Sequence, residues 1–362
     1  MTNLNRILRE RIGRDGPITV AEYMELALSH PEHGYYTTRE PFGASGDFTT
    51  APEVSQMFGE LIGLWLGVAW RNMGRPGSVH LIELGPGRGT LMRDVLRAAR
   101  GVSGFPEAIS VTLVEMSGRL IEVQRETLRG AGIPVRWQPA PDPLPAGPCL
   151  VVANEFIDAL PVSQFVRAEN QWRERLVGLE DGWLAFAVSD HGTDRADAVA
   201  RDLSAAPGDI VERRARAETL VHDIASHLSA HGGAALLIDY GHRLSGIGDT
   251  LQAVRSHQYH PPLDAPGTAD LTAHVDFEAL ARAGREGGAQ IHGPVTQRSF
   301  LTELGILHRY RSLAETAGDA QKRSLAWALG RLIGADEMGS LFKVLALAAP
   351  GLQIEAGFDG TE

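Results

Sequence analysis

Where the hydrophobic run VHLIELG (79–85) meets the helix-forming stretch TLMRDVLRAAR, the chain reads Glu83-Leu84-Gly85-Pro86-Gly87-Arg88-Gly89-Thr90. Three alternating glycines at a strand-to-helix turn let the backbone approach a ligand without Cβ clashes, and they set that ligand against the helix N-terminus. Two cofactor classes use such a turn. Dinucleotide folds require G-x-G-x-x-G, with a pyrophosphate at the helix dipole. Here the spacing is G-x-G-x-G followed by threonine, so that fingerprint is not met. Glu83, two positions before Gly85, suits a cofactor carrying positive charge. S-adenosylmethionine carries an ammonium and a sulfonium and no phosphate, and it is the cofactor this motif predicts, with S-adenosylhomocysteine as product. Glu83, Gly85, Pro86, Gly87, Gly89 and Thr90 are the expected contacts.

Glu115 closes the next strand, ISVTLVEMS (109–117). A carboxylate there can take both ribose hydroxyls in a bidentate pair; a solvated strand-end acid is the alternative. Gln138, in the short strand PVRWQP (134–139), and Asn154 join the expected cofactor set. Asn154-Glu155-Phe156-Ile157-Asp158 follow the strand CLVVAN. Ligands of open α/β sheets bind beyond the carboxyl ends of the strands, which puts Asn154, Glu155 and Asp158 beside a transferred methyl as catalytic candidates. Carboxylates there can hold an amine or guanidinium and orient its lone pair for in-line attack. Burial could raise a pKa and make one of them a proton acceptor. Asn and Asp are also favoured helix caps, so a capping network for the next helix competes with the catalytic reading.

The elements that must position these groups alternate. Strands are predicted at 79–85, 109–117, 134–139, 149–156, 234–242, 289–297 and 341–350, with helical sequence between most of them. This predicts an α/β fold: a Rossmann-like, seven-stranded, mostly parallel sheet. Residues 1–75 read as mostly helical, Thr19 with Glu22 and Thr50 with Glu53 having capping-box spacing. The second box is expected to open one helix from about Ala51 to Arg71, with Phe58, Leu61, Leu64, Trp65 and Val68 as a core stripe. The alternation breaks at 164–190, which reads as polar-alternating strands with Glu-Asp-Gly as a turn. The expected organisation is a helical N-terminal region (1–75) covering the cofactor cleft, then a core (76–350) and a tail (351–362). A β-rich cap (162–212) and a substrate loop (244–276) are inserted in the core.

Composition narrows the function. Net charge is -11 over 362 residues with no long basic run, which argues against nucleic-acid binding, where a basic surface must displace counterions. The apolar fraction of 43% suffices for a sizeable core. No apolar stretch reaches the roughly 20 residues that cross a bilayer, and no secretory segment follows the N-terminus, so a cytoplasmic protein without membrane insertion is expected. The single cysteine, Cys149, excludes an intramolecular disulfide framework and reads as a small buried hydrophobe.

With these residues in hand, the chain resembles the MidA-like family. The resemblance covers EHGYYTTREPFGASGDFTTAPEVSQMFGELIG (32–63), IELGPGRGTLMRDVLR (82–97), VVANEFIDALPVSQF (151–165), LLIDYGH (236–242) and LQAVRSHQYHPPLDAPGTADLTAHVDF (251–277). It implies a class I S-adenosylmethionine-dependent methyltransferase with a family-specific cap. In the family's mitochondrial member it implies symmetric dimethylation of an arginine in a respiratory complex I subunit, and hence a protein acceptor. By position, Glu83, Gly85, Gly87 and Glu115 would hold the cofactor, and the block from Gly46 and Asp47 to Glu53 would cover it. Asn154, Glu155 and Asp158 would face the acceptor. The better-known arginine methyltransferases use a paired-glutamate loop, which only Glu155 with Asp158 approximates here.

Weaker signals surround a proline-rich loop. His257, His260 and His274, with Asp264, Asp270 and Asp276, match no compact metal motif, so no metal is expected. The three histidines and Tyr36 are candidate acceptor contacts, against a merely solvated loop and aromatic packing by Tyr35 and Tyr36. The rivals to a protein methyltransferase are a small-molecule methyltransferase and a non-catalytic assembly protein that retains the cofactor pocket. A nicotinamide oxidoreductase is disfavoured by the glycine spacing.

Overall fold

The computed structural model describes residues 2–38, 49–200, 203–255, 257–354 and 356–359, and these group into two compact units. The core unit holds residues 49–157, 220–243 and the described residues from 280 onward. The second unit holds the described residues of 1–48 together with 158–219 and 244–279.

In the core unit the strands are β1 (Val79–Leu84), β2 (Ile109–Val114), β3 (Val135–Gln138), β4 (Cys149–Asn154), β5 (Gly233–His242), β6 (Gln290–Thr296) and β7 (Phe342–Ala348). They hydrogen-bond in the order β6-β7-β5-β4-β1-β2-β3. β1 to β5 run parallel, β7 is antiparallel to β5, and β6 is antiparallel to β7. Within the core unit the seven strands expected from the alternation are therefore present, and they are mostly parallel. β4 and β7 are buried along their whole length, as runs of Val, Leu and Ala must be when helices cover both faces of a sheet. The chain leaves β1 toward β2 on one side and later inserts β4 on the other. The turn after β1 and the end of β4 therefore flank a topological switch point.

The helix expected over Ala51 to Arg71 is two helices. Ala51–Val54 is a single turn with Pro52 near its start, and Ser55, extended at φ −162°, breaks it from Gln56–Asn72. Ser55 then caps the longer helix by accepting the Met57 N–H. Of the expected stripe, Phe58, Leu61 and Trp65 are buried, but Leu64 is 45% exposed and Val68 is half-buried. The contact face runs instead along Gly59 and Gly63. A Cβ on Gly59 would stand 2.6 Å from the Asp94 Cβ, and one on Gly63 would stand 2.8 Å from the Val95 carbonyl oxygen. Only glycine lets the helix Thr90–Ala99, which leaves the Gly-rich turn, come this close.

The second unit has a five-stranded antiparallel sheet. Its strand Gln171–Glu180 pairs with Ser163–Ala168, Trp183–Thr193 and the short Ile18–Thr19, and Ser163–Ala168 also pairs with Ile210–Arg213. The N-terminal region thus contributes a strand to the β-rich insertion. Asp181 and Gly182 both take left-handed backbone, the two-residue geometry that matches strand twist in a hairpin, at the turn that Glu-Asp-Gly marks in the sequence. Thr19 caps the helix Val20–Ser29 by accepting the Glu22 N–H, but the Glu22 carboxylate pairs with Arg11, so the capping box is half formed. A three-stranded sheet places Gln252–Arg255 between Gln258–His260 and Asp270–Thr272. Among the described residues no helix is long and apolar enough to cross a membrane.

Candidate functional site

At the end of β1, Gly85, Gly87 and Gly89 all have positive φ, at 64°, 51° and 79°. A Cβ on Gly85 would lie 2.6 Å from the Phe156 ring, so this position excludes a side chain by both backbone and space. Gly89 is the N-cap of Thr90–Ala99 and offers no side-chain capping bond. The first N–H groups of that helix are therefore left to a ligand or to solvent. The Thr90 hydroxyl donates to the Glu53 carboxylate, the residue that the sequence assigned to a capping box with Thr50. Thr50 is the N-cap of Ala51–Val54 but makes no side-chain bond there.

Glu83 stands in β1, 2% exposed, and its Oε2 has no hydrogen-bond partner. Burial pushes its carboxyl up to about 8. Glu83 registers with Val152 of β4, so side-chain alternation puts Asn154 on the same sheet face, nearer the carboxyl edge. The Asn154 Oδ1 is also buried and unpartnered. A buried acceptor left unpaired costs about 1–3 kcal/mol, so two on one face beside the switch point mark a place for a donor-bearing ligand.

Glu115 follows β2. Its Oε1 accepts the Ser117 N–H at 2.8 Å and its Oε2 accepts from the Gln124 amide at 3.2 Å. Burial raises its pKa, while the Ser117 and Gln124 bonds pull it back. Acceptor sites remain on the carboxylate for a diol. Gln124 carries no sequence signal of its own, being one polar residue among several in the helix Gly118–Thr127. Its amide also donates to the Gly87 carbonyl at 2.8 Å, tying the turn to Glu115. The Gln138 carbonyl accepts the Glu115 N–H, and its side chain donates to the Ala140 carbonyl.

Glu155 adopts left-handed backbone, φ 50°, right after β4. Its Oε1 accepts the Ala51 N–H at 2.9 Å and the Asn154 amide at 3.1 Å. The capping network that competed with the catalytic reading therefore exists, but it serves the helix Ala51–Val54, from far off in sequence. The backbone here is stapled to β5: Glu155 N–H donates to the Ile238 carbonyl and Ile157 N–H to the Asp239 carboxylate. Asp239, in LLIDYGH, is a positioning residue that the sequence reading passed over.

The remaining candidates lie in the second unit. Asp158 and Asp270 are buried, and the Tyr36 hydroxyl donates to Asp270 Oδ1 at 2.8 Å. Burial, with Asp270 and Asp158 nearby, drives the Tyr36 pKa upward. Tyr35 packs in the core edge-on to Tyr36. His260 faces Asp264 at 3.5 Å, His257 is exposed, and the main chain of His274 bonds to Thr250 and Arg214. The three histidines share a small sheet and its flanks. Gly46 and Asp47 lie outside the described residues. Cys149 is buried, and burial pushes its thiol up to about 12.

The core-unit residues fit S-adenosylmethionine. Glu83 and Asn154 offer unpaired acceptors to an ammonium, Glu115 offers a carboxylate to a ribose, and the glycines leave backbone room between them. Comparison with known proteins agrees. Residues 61–295 match the family described as S-adenosyl-L-methionine-dependent methyltransferase. The chain is 39% identical to the mitochondrial protein arginine methyltransferase NDUFAF7 of Danio rerio, over 94% of this chain and 85% of that protein. It is 36% identical to the protein of that name from Homo sapiens, over 99% and 86%. A crystal structure of a Burkholderia thailandensis protein bound to S-adenosyl-homocysteine superimposes with a TM-score of 0.85 at 31% identity, covering 99% of this chain and 93% of that one.

Proposed function

The chain belongs to the MidA-like family of S-adenosyl-L-methionine-dependent methyltransferases, and on that premise we propose that it methylates the guanidinium of an arginine in a protein acceptor. One observation carries the acceptor reading above the others: relatives 39% and 36% identical over nearly the whole chain are named protein arginine methyltransferases. The net charge of -11 and the carboxylates at the end of β4 suit a cationic acceptor.

S-adenosylmethionine, when bound, supplies an electrophilic methyl carbon. The residues of the chain do the positioning. Glu83 and Asn154 hold the ammonium, Glu115 takes the ribose hydroxyls, and the Gly85–Gly89 turn admits the ligand to the helix N-terminus. Glu155 is the carboxylate we assign to the acceptor, with Asp158 as a second candidate. Its orientation is fixed before any ligand arrives, because Ala51 N–H and the Asn154 amide already hold one oxygen. A carboxylate pairs with a guanidinium in a planar geometry, and that pairing aligns one nitrogen for in-line attack. The proton that leaves the nitrogen passes to the same carboxylate. Tyr36, His257, His260 and His274 are assigned to contacts with the acceptor protein, and the family resemblance puts a complex I subunit first among acceptors to test.

The test is incubation with methyl-labelled S-adenosylmethionine and lysate of the source organism, then hydrolysis and amino-acid analysis of the labelled species. Label in methylated arginine of a protein is expected, with Glu155→Gln abolishing it while cofactor binding survives. Label confined to small molecules, or kept when the acceptor arginine is changed to lysine, sinks the proposal.

A further inference from the structure

Gln124 is completely buried in the helix Gly118–Thr127, whose N-terminus Ser117 caps. Its amide is engaged on both ends. The Nε2 donates to the Gly87 carbonyl at 2.8 Å and to Glu115 Oε2 at 3.2 Å, and the Oε1 accepts the Trp137 indole N–H at 2.8 Å. An indole nitrogen can only donate, and a carbonyl and an ionised carboxylate can only accept. The reverse amide orientation would set N–H against N–H at one end and oxygen against two oxygens at the other. Trp137 therefore dictates which way the amide points, and that choice makes Gln124 a donor to the two candidate cofactor contacts. Trp137 is held in turn within β3, with the Arg125 guanidinium over its ring at 5.2 Å.

We propose that Trp137 and Gln124 form a positioning relay for the cofactor: the indole fixes the amide, and the amide holds the Glu115 carboxylate and the Gly87 carbonyl in the geometry that receives the ligand. The relay rests on the assignment of Glu115 to the ribose. Gln124 itself touches no ligand. It takes one acceptor position of Glu115, as Ser117 N–H takes another, so the carboxylate cannot rotate away from a diol presented to its remaining lone pairs. It also joins the two sides of the site, since Gly87 lies on the β1 turn and Glu115 at the end of β2.

The experiment is calorimetric titration of the full-length protein with S-adenosylhomocysteine and with its analogue lacking the ribose 2′-hydroxyl. Gln124→Met keeps the bulk and removes the polar groups, and Trp137→Phe removes only the indole donor. Gln124→Met is expected to weaken S-adenosylhomocysteine binding about tenfold and to shrink the preference for the hydroxylated ligand. Trp137→Phe should lose less in the same direction, and the double variant should bind no worse than Gln124→Met, because both changes break one link. Near-ultraviolet circular dichroism without ligand checks that each variant folds. Should Gln124→Met fail to fold, the preference measured in Trp137→Phe decides alone. Parent-like affinity and preference in the folded variants overturn the relay, as does an equal loss for both ligands, which marks a purely structural role. A parent protein that does not distinguish the two ligands overturns the Glu115 assignment first and the relay with it.

Discussion

Two clusters of buried polar groups, one in each unit, are built in opposite ways. In the core unit, at the carboxyl end of β1 and β4, Glu83 Oε2 and Asn154 Oδ1 are buried without partners, and the helix after the Gly-rich turn starts without a side-chain cap. In the second unit the groups around Arg214 and Tyr36 are consumed, although Asn5 Oδ1 and His260 Nε2 of that unit are buried with no hydrogen-bond partner. The Tyr36 hydroxyl goes to Asp270, and buried Arg214 gives its N–H groups to the main-chain carbonyls of Leu160, His274, Asp158 and Ala273. An unpaired buried acceptor costs free energy that folding alone does not recover, and where two share one sheet face beside the switch point a ligand can supply the donor. An arginine with four such bonds contributes to the fold as it stands. The difference separates a cluster left open to a ligand from one closed on itself.

The widest separation should come from Gly85→Ala. With φ at 64° and the new Cβ 2.6 Å from Phe156, the turn must move, and S-adenosylhomocysteine affinity is expected to fall about a hundredfold in calorimetry. Parent-like affinity would mean that the turn does not need its glycine. Arg214→Met should do the reverse. It removes the Arg214 bonds to four carbonyls, of which Asp158 keeps the Ala273 N–H, and should cost about 3 kcal/mol in thermal unfolding, with cofactor affinity unchanged. A drop in affinity at preserved stability would break the comparison.

Glu83 supplies a test through pH. Burial keeps its carboxyl protonated up to about 8, against an ordinary value of 4.5. The unliganded folded protein thus holds a proton that the unfolded chain releases. The stability tied to this group is intact below about pH 4.5 and is lost as pH rises toward 8. A bound ammonium favours the ionised form, so binding S-adenosylhomocysteine at pH 7 should release a proton. Titration in buffers of different ionisation enthalpy measures that release, and Glu83→Gln should abolish it. No release from the parent protein would place the ammonium elsewhere. The smallest effect is expected of Tyr36→Phe, about 1 kcal/mol in stability for one lost hydrogen bond, with S-adenosylhomocysteine affinity unchanged. A fall in methyl transfer beyond that loss would sharpen the acceptor role assigned to Tyr36.

Much of the core unit was legible from hydrophobic pattern alone. β4, read from CLVVAN, and β7, read from LFKVLALAAP, are apolar apart from Asn154 and Lys343 because both of their faces are buried, and that requirement is written in nearly every residue. The hairpin at Asp181 and Gly182 was legible for a local reason as well, since its turn needs residues that accept left-handed backbone. At the helix entrance at Thr50 the local pattern misleads. Its spacing with Glu53 looks like a capping box, but the Glu53 carboxylate finds the Thr90 hydroxyl and Glu155 accepts the Ala51 N–H in its place. Leu64 fits a helical stripe yet is exposed, because Gly59 and Gly63 set which face packs.

The sequence by itself determined the turn from Glu83 to Thr90, the strands around it and the cofactor class. Positive φ, chain reversal and two-sided burial are each decided within a few residues, and glycine and aliphatic side chains report them directly. Only the tertiary structure decided what the polar side chains do there. Gln124 reaches Gly87 across 37 positions, and Glu155 reaches Ala51 across 104. A hydrogen bond depends on which atoms the fold brings within about 3 Å, and no local pattern encodes that distance.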